Sequence, residues 1–388
     1  MTTFALWLVT EPFAVLAYAY VLYPLALGCL VRFVGKRGDF AAREEWPSIT
    51  ITLPVHNEER NLRSTLERVL ALEYPEERRH VVVISDASTD ATDRIAAEFR
   101  DRGVELVRLP VRAGKTAAEN AAHPHLRGEI IVNVDATARP AKRSLKALVG
   151  AFADPTVGVA SGHDVSTGGD GEATTTGESG YVGYEMWVRG LESRLGSIVG
   201  ASGCFYAIRT WLYEQNFPES LSRDFASVLI AREHGMRAVS VDAARCAVPR
   251  ATSLDAEFRR KVRTMHRGLE TLWYKRSLLD PLRHGRFTLM LFSHKLCRWL
   301  VPLTLPAGAL GLILLAWQSV AAAWFLAIAA TLLSLSVMAL RRSDASRVLR
   351  VLALPSYLLM ANLAGIVAWW EVFRHEREPI WEPTRRPA

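Results

Sequence analysis

Three short polar runs follow apolar, β-branched segments directly: Pro54-Val55-His56-Asn57-Glu58, Ser85-Asp86-Ala87-Ser88-Thr89-Asp90 and Asp135-Ala136-Thr137. Carboxylates converging from such places can hold a divalent cation or accept hydrogen bonds from hydroxyl and amide donors. Each taken alone also has an ordinary reading. Asp90, together with Ser88 and Thr89, resembles a helix N-terminus, where a side-chain oxygen caps free amides. Asp135 is harder to explain as a turn residue, because it follows Ile-Ile-Val-Asn-Val and would stand at the open end of a buried strand. Lys115, in Arg112-Ala113-Gly114-Lys115, would place a cation where a helix begins, a suitable seat for phosphate. On spacing alone it fits a solvated surface lysine better.

The segments that position these residues alternate in type. Residues 48–53 and 130–134 are β-branched and extended in pattern, as are 81–85 and 104–109. Between them, 58–72, 90–99 and 113–122 carry apolar residues at helical spacing, with Asn57 as N-cap of the first. Alternation of this kind predicts a parallel sheet covered on both faces, whose ligands bind beyond the carboxyl ends of the strands. A Gly/Thr-rich loop occupies 166–180.

Composition sets the frame around this region. The 388 residues carry a net charge of +7, are 50% hydrophobic and 22% charged, which excludes both a disordered chain and one wholly embedded in a membrane. Cys29, Cys204, Cys246 and Cys297 are widely separated, against a disulfide scaffold or a zinc ribbon. The charges are distributed unevenly. Residues 12–31, 299–340 and 351–370 are uncharged, and a span needs about 20 apolar residues. The middle run is long enough for a hairpin turning at Gln318-Ser319, so four spans are expected. The first lacks a basic flank on its N-terminal side and exceeds a signal peptide's apolar core, so it reads as a retained anchor. Arg32, Lys36 and Arg37 after it place the N-terminus outside and the following region in the cytoplasm, and Arg341, Arg342, Arg347 and Arg350 agree. Arg374, Arg377, Arg385 and Arg386 do not agree, because four spans would put that basic tail outside.

The motifs above, in order with Gly114-Lys115 and Val134-Asp135-Ala136-Thr137, resemble family 2 glycosyltransferases of the GT-A fold. The later segments continue the likeness: 181–192, Gly203-Cys204-Phe205-Tyr206-Ala207-Ile208-Arg209, Arg223-Asp224-Phe225 and 257–263. Ser293-His294-Lys295-Leu296-Cys297-Arg298-Trp299 and the closing Trp381-Glu382-Pro383-Thr384-Arg385 are similar to the membrane-bound exopolysaccharide and N-acetylglucosaminyltransferase-like branch. The resemblance implies a Rossmann-like, mostly parallel α/β catalytic domain between N- and C-terminal transmembrane helices. Its expected limits are 1–34 for the anchor, 45–250 for the GT-A domain and 251–298 for amphipathic interface helices. About three membrane helices at 299–373 and a tail at 374–388 complete the chain.

The same resemblance assigns roles. Val55 with its neighbouring backbone, Glu58 and Asp86 would cradle the base and ribose of a nucleotide-diphospho-sugar, with UDP as the nucleotide. Lys115 would add positive charge at the phosphates. The family's Asp-x-Asp metal motif is represented by Asp135 and Thr137, which with diphosphate oxygens and waters could complete an Mg2+ or Mn2+ shell. Asp224 matches the general base, and Arg223, in place of the usual acidic neighbour, would favour its ionised form. The Gln-x-x-Arg-Trp motif falls on Arg260, Arg263 and Thr264; Arg263, with Arg260, would grip the diphosphate. Loss of the Trp argues against a long-chain polymerase. Residues 259–267 also form a basic run facing anionic lipid, with Phe258, Val262, Met265 and Leu269 as an apolar stripe suited to the membrane surface.

The expected activity is transfer of a sugar to a lipid-linked or glycan acceptor by an integral protein of the cell membrane, with bilayer lipid as a partner. Nucleic acid is not expected, since no basic stripe with interleaved aromatics occurs away from the membrane. Dimerisation or a partner subunit is left open. A non-catalytic member that binds nucleotide sugar or a synthase is the alternative, motivated by Thr137, Arg223 and Thr264. A nucleotidyltransferase on the same scaffold is a third.

Overall fold

The computed structural model describes residues 2–34, 45–167, 173–215, 217–249, 254–341 and 353–375. Lys36, Arg37, Arg342, Arg347, Arg350 and the segment 376–388, with its Trp381-Glu382-Pro383-Thr384-Arg385 motif, lie outside the described residues, as does 168–172 of the Gly/Thr-rich loop.

Among the described residues eight strands make one sheet: β1 (Ile49–Val55), β2 (Arg79–Ser85), β3 (Val104–Arg108), β4 (Ile130–Val134), β5 (Arg139–Pro140), β6 (Val157–Thr167), β7 (Phe205–Arg209) and β8 (Arg237–Pro249). Their order is β3-β2-β1-β4-β7-β6-β8-β5. β1 pairs in parallel with β2 and β4, and β2 with β3. β7 runs antiparallel to β4 and to β6. β1 is buried along its whole length, so its two threonines need internal partners. The Thr50 hydroxyl donates to the Arg127 carbonyl and the Thr52 hydroxyl to Asn133 Oδ1 at 2.8 Å.

One face of the sheet buries Ile51, Leu53, Leu66, Phe152 and Phe205; the other buries Ile131, Tyr206, Ile208, Phe225 and Leu229. The long strands β6 and β8 shift register near Ser161–His163. There a Cβ on Gly162 would come within 2.7 Å of the Phe205 ring, so glycine is the residue that fits.

The first covering helix, Leu62–Leu70, starts later than its apolar spacing suggested, and Asn57 does not cap it. Asn57 takes a left-handed φ of 53°, and its Oδ1 accepts the Thr89 amide at 2.8 Å, tying the first strand end to the second. Asp90 does behave as a turn residue, accepting the amides of Thr92 and Glu59 at 2.9 and 3.1 Å. The helix after β3 is Lys115–Ala121.

Among the described residues four helices are long and apolar enough to cross a membrane: Thr2–Phe33, Arg286–Ala316, Val320–Met338 and Pro355–Phe373. The turn between the second and third falls at Trp317–Ser319, where the hairpin was expected. Thr2–Ala17 packs against Cys297–Ala316 through Gly308 and Gly311. A Cβ on Gly311 would sit 2.7 Å from Leu8 Cβ and 2.8 Å from the Ala5 carbonyl oxygen, so the absent side chain sets how closely these helices approach. Two π-helical turns, Tyr18–Leu22 and Phe292–Leu296, meet where these helices reach the α/β domain, joined by a 2.7 Å hydrogen bond between the Tyr18 and Ser293 hydroxyls. The stripe of helix Leu254–Tyr274 does not face lipid: Phe258, Val262 and Met265 pack on Ala364, Val367 and Ala368 of the helix Ala353–Phe373.

Candidate active site

The open ends of β1 and β4, the start of helix Lys115–Ala121 and the start of helix Arg223–Glu233 converge on one cleft of about 530 Å³, closed on its far side by the membrane helices. Glu58, Lys115, Asp135 and Thr137 line it, as do Asp224, Arg260 and Arg263.

At its centre Lys115 Nζ donates to Asp135 Oδ1 at 2.6 Å. Burial disfavours a charged amine, but Asp135, Glu119 and Asp224 outweigh it and hold the Lys115 pKa above its ordinary value. The cation is thus fixed among three carboxylates at the centre of the cleft. Asp135 is positioned by its own backbone, whose N–H donates to the Cys204 carbonyl at 3.0 Å while its carbonyl accepts from Ala138 at 2.9 Å.

Asp224 sits in the first turn of Arg223–Glu233, and its Oδ1 accepts the Ser222 hydroxyl at 2.5 Å. Gly203 faces it: a Cβ there would lie 3.1 Å from Asp224 Oδ2. The role expected for Arg223 is not what the structure shows. Its guanidinium turns away to helix Lys115–Ala121, pairing with buried Glu119 at 3.3 Å and donating to Asn120 and to the Tyr213 carbonyl. The rings of Tyr213 and Phe217 flank it, 4.3 and 4.8 Å from its central carbon. Arg223 thus neutralises Glu119, whose pKa burial pushes up, instead of serving Asp224. Burial and the Arg223 charge together push the neighbouring His123 down to about 4.

Val55 and Asp86 lie behind the cleft wall. The Val55 carbonyl accepts the Asp86 amide at 2.9 Å. The buried Asp86 carboxylate accepts the amides of Ala113 and Gly114 at 2.7 and 2.8 Å, fixing the loop that presents Lys115. Arg260 is held by Glu257 through two bonds of 2.7 Å. Burial would raise the Glu257 pKa, but Arg260 and Lys261 prevail and lower it.

A second polar cluster, to which no role was assigned from sequence, lines the membrane side of the cleft. His294 bridges Glu192 at 2.7 Å and Glu185 at 2.9 Å. Arg298 donates to Glu185 at 2.8 Å, and the Tyr23 hydroxyl to Glu192 at 2.6 Å. His294 and Arg298, just before an uncharged run, were the available signal, since ionisable residues at membrane depth rarely lack a partner; Glu185 and Glu192, on a soluble helix, gave no such sign.

The oxygen donors at the cleft mouth suit a hard cation. Asp135 and the Thr137 hydroxyl would hold Mg2+ or Mn2+ together with diphosphate oxygens, a donor set in which one or two carboxylates suffice. Among the described residues no group of three acidic, His or Cys side chains forms a self-sufficient metal centre, so such a cation would bind with the donor.

An acidic-ended, mostly parallel sheet of this kind is the GT-A glycosyltransferase fold. Residues 50–217 match the model of glycosyl transferase family 2. Across 94% of its length the chain is similar in structure to 98% of the mannosyltransferase PcManGT from Pyrobaculum calidifontis, solved with GDP-Man and Mn2+, at a TM-score of 0.71 and 24% identity. The probable glycosyltransferase YdaM of Bacillus subtilis is 30% identical over 27% of this chain and 26% of its own. The β-monoglucosyldiacylglycerol synthase of Synechocystis is 32% identical over 31% of this chain and 26% of its own. The poly-β-1,6-N-acetyl-D-glucosamine synthase of Staphylococcus epidermidis is 35% identical over 23% of this chain and 21% of its own. The chain thus spans about a quarter of the length of the curated relatives it matches.

Proposed function

We propose that this protein is a membrane-bound inverting glycosyltransferase, moving a sugar from a nucleotide-diphospho-sugar to a lipid-linked or glycan acceptor with its catalytic domain in the cytoplasm of the cell. The observation that carries the reading is the convergence of Lys115, Asp135 and Asp224 on one cleft between strand ends and membrane helices. Asp224 would take the proton from the acceptor hydroxyl as that oxygen attacks the anomeric carbon. The C–O bond to the diphosphate breaks on the opposite face, which inverts the configuration. Lys115 would meet the negative charge of the departing diphosphate, with Arg263 beside it. A divalent cation held by Asp135 and Thr137 would neutralise part of that charge when bound. Glu58 would face the nucleoside, while Asp86 and Val55 would act through the loop and strand end they fix. Arg260, clamped by Glu257, would shape the acceptor side.

UDP is our reading for the nucleotide, and GDP-mannose belongs in the assay because the Pyrobaculum enzyme holds it. The test measures nucleoside diphosphate release from UDP- and GDP-linked sugars by detergent-purified protein with Mg2+ or Mn2+ and lipid extract. Release that falls about 10²- to 10⁴-fold in Asp224→Asn is the expected result. Nucleotide binding without release from any donor, lipid extract included, would instead support the non-catalytic reading.

A further inference from the structure

Length and composition alone make the helix Ala353–Phe373 a fourth span. Its contacts say otherwise. The outer edge of the bundle is marked by the Trp317–Ser319 turn, where the Thr2 hydroxyl donates to Gln318 at 2.7 Å. A helix rises about 1.5 Å per residue, so depth can be counted inward from that turn along the spans that leave it. Near the start of the last helix, the Ser356 hydroxyl donates to the Ser336 carbonyl at 3.2 Å. Ser336 is about 24 Å deep by this count. At the middle, a Cβ on Gly365 would sit 2.5 Å from Pro302, at a depth of about 21 Å. Near the end, the Trp369 indole donates to the Trp299 carbonyl at 2.7 Å, at about 25 Å. Start, middle and end therefore touch the spans at nearly one depth, whereas a crossing helix would change depth by about 20 Å between Ser356 and Trp369.

We infer that the helix Ala353–Phe373 lies in the plane of the membrane at the boundary facing the catalytic domain, its partner on one side being the lipid of that leaflet. Its exposed residues fit that partner: Pro355, Leu358, Leu363, Trp370 and Phe373 are all apolar and fall in one sector of the helix. Its buried side carries Tyr357 and Ala364, packed against Tyr181 and Val262 of the α/β side. Tyr357, Leu358, Ala361 and Asn362 line the cleft, so the helix roofs the site between leaflet and active centre. Arg374, just beyond Phe373, then lies on the catalytic side. That placement removes the conflict at Arg374, because three crossings leave it where the positive-inside rule puts it.

The test uses the full chain in oriented membranes and does not depend on turnover, so it stands or falls separately from the glycosyltransferase reading. Gln318→Cys, Asp242→Cys and Arg374→Cys are labelled with a membrane-impermeant maleimide, over the background of the native chain, before and after permeabilisation. Arg374→Cys should label with the sidedness of Asp242→Cys and opposite to Gln318→Cys. Spin labels at Leu358→Cys, Leu363→Cys and Trp370→Cys should report one immersion depth in collision-quenching measurements. Labelling of Arg374→Cys with the sidedness of Gln318→Cys, or depths that spread by most of the bilayer core, would overturn the inference.

Discussion

Arg223 shows how a single residue can look catalytic and be structural. It stands beside Asp224 in sequence, yet its guanidinium is spent on Glu119, Asn120 and two aromatic rings. Burial, joined by this charge, acts on the neighbouring His123, whose pKa is pushed down to about 4, against about 6.5 in an unfolded chain. As pH falls, the unfolded state binds the proton first, so stability from this group is lost between about pH 6.5 and 4 and is whole above that window. Thermal melts of His123→Gln should accordingly show a shallower loss of Tm across that window than the parent; parallel curves would contradict the assignment. At this scale, types and spacing marked Asp135, Lys115 and Asp224, because strand ends and helix starts are local features. The partner of Arg223 was not legible: Glu119 is four residues past Lys115, on the next turn of that helix, and nothing local says that a residue from the later helix Arg223–Glu233 will meet it.

At the scale of elements, β1 to β4 were the most legible part, since a strand buried in the sheet leaves a continuous β-branched record, whereas β5 to β8 were not read as strands. Helix starts were less so, because Asn57 serves the link to Thr89 instead of a cap. The stripe on Leu254–Tyr274 was visible in sequence, but its partner was not, since lipid and a neighbouring apolar helix select the same residues. Glycines at helix crossings offer a direct check of packing. Gly311→Leu forces a side chain into Leu8 and the Ala5 carbonyl and should destabilise by about 1–3 kcal/mol. Gly150→Ala, where an added Cβ meets nothing within 4 Å, should leave Tm unchanged or slightly raised. Equal shifts for the two would show that the crossing is loose.

For the whole molecule, the cleft is bounded by strand ends on one side and by long apolar helices on the other, so on the proposed function an acceptor reaching Asp224 would meet both environments. An amphiphile suits that geometry better than a free sugar. Among acceptors with one head group, kcat/KM should rise with lipid chain length and fall at least about 10-fold when the chain is removed; initial rates in mixed micelles measure this. An equal kcat/KM for a soluble head group would point to a glycan acceptor reaching the site from water. The positions of the long apolar helices were legible from charge distribution alone. The orientation of the last helix was not, because an in-plane helix covered by protein on its polar side is as apolar as a crossing one.

The Glu119–Arg223 pair also bears on how this chain can change. Restoring an acidic residue at 223, as in the family's usual motif, would set a second negative group beside a buried carboxylate that has lost the Arg223 charge and keeps only that of Lys115 beside it, at a cost of several kcal/mol. Glu119 would have to change first, or with it. The departure at 223 is therefore locked in place by a residue that lies outside the motif in sequence, and repairs made one position at a time would each be less fit to fold than the chain as it stands.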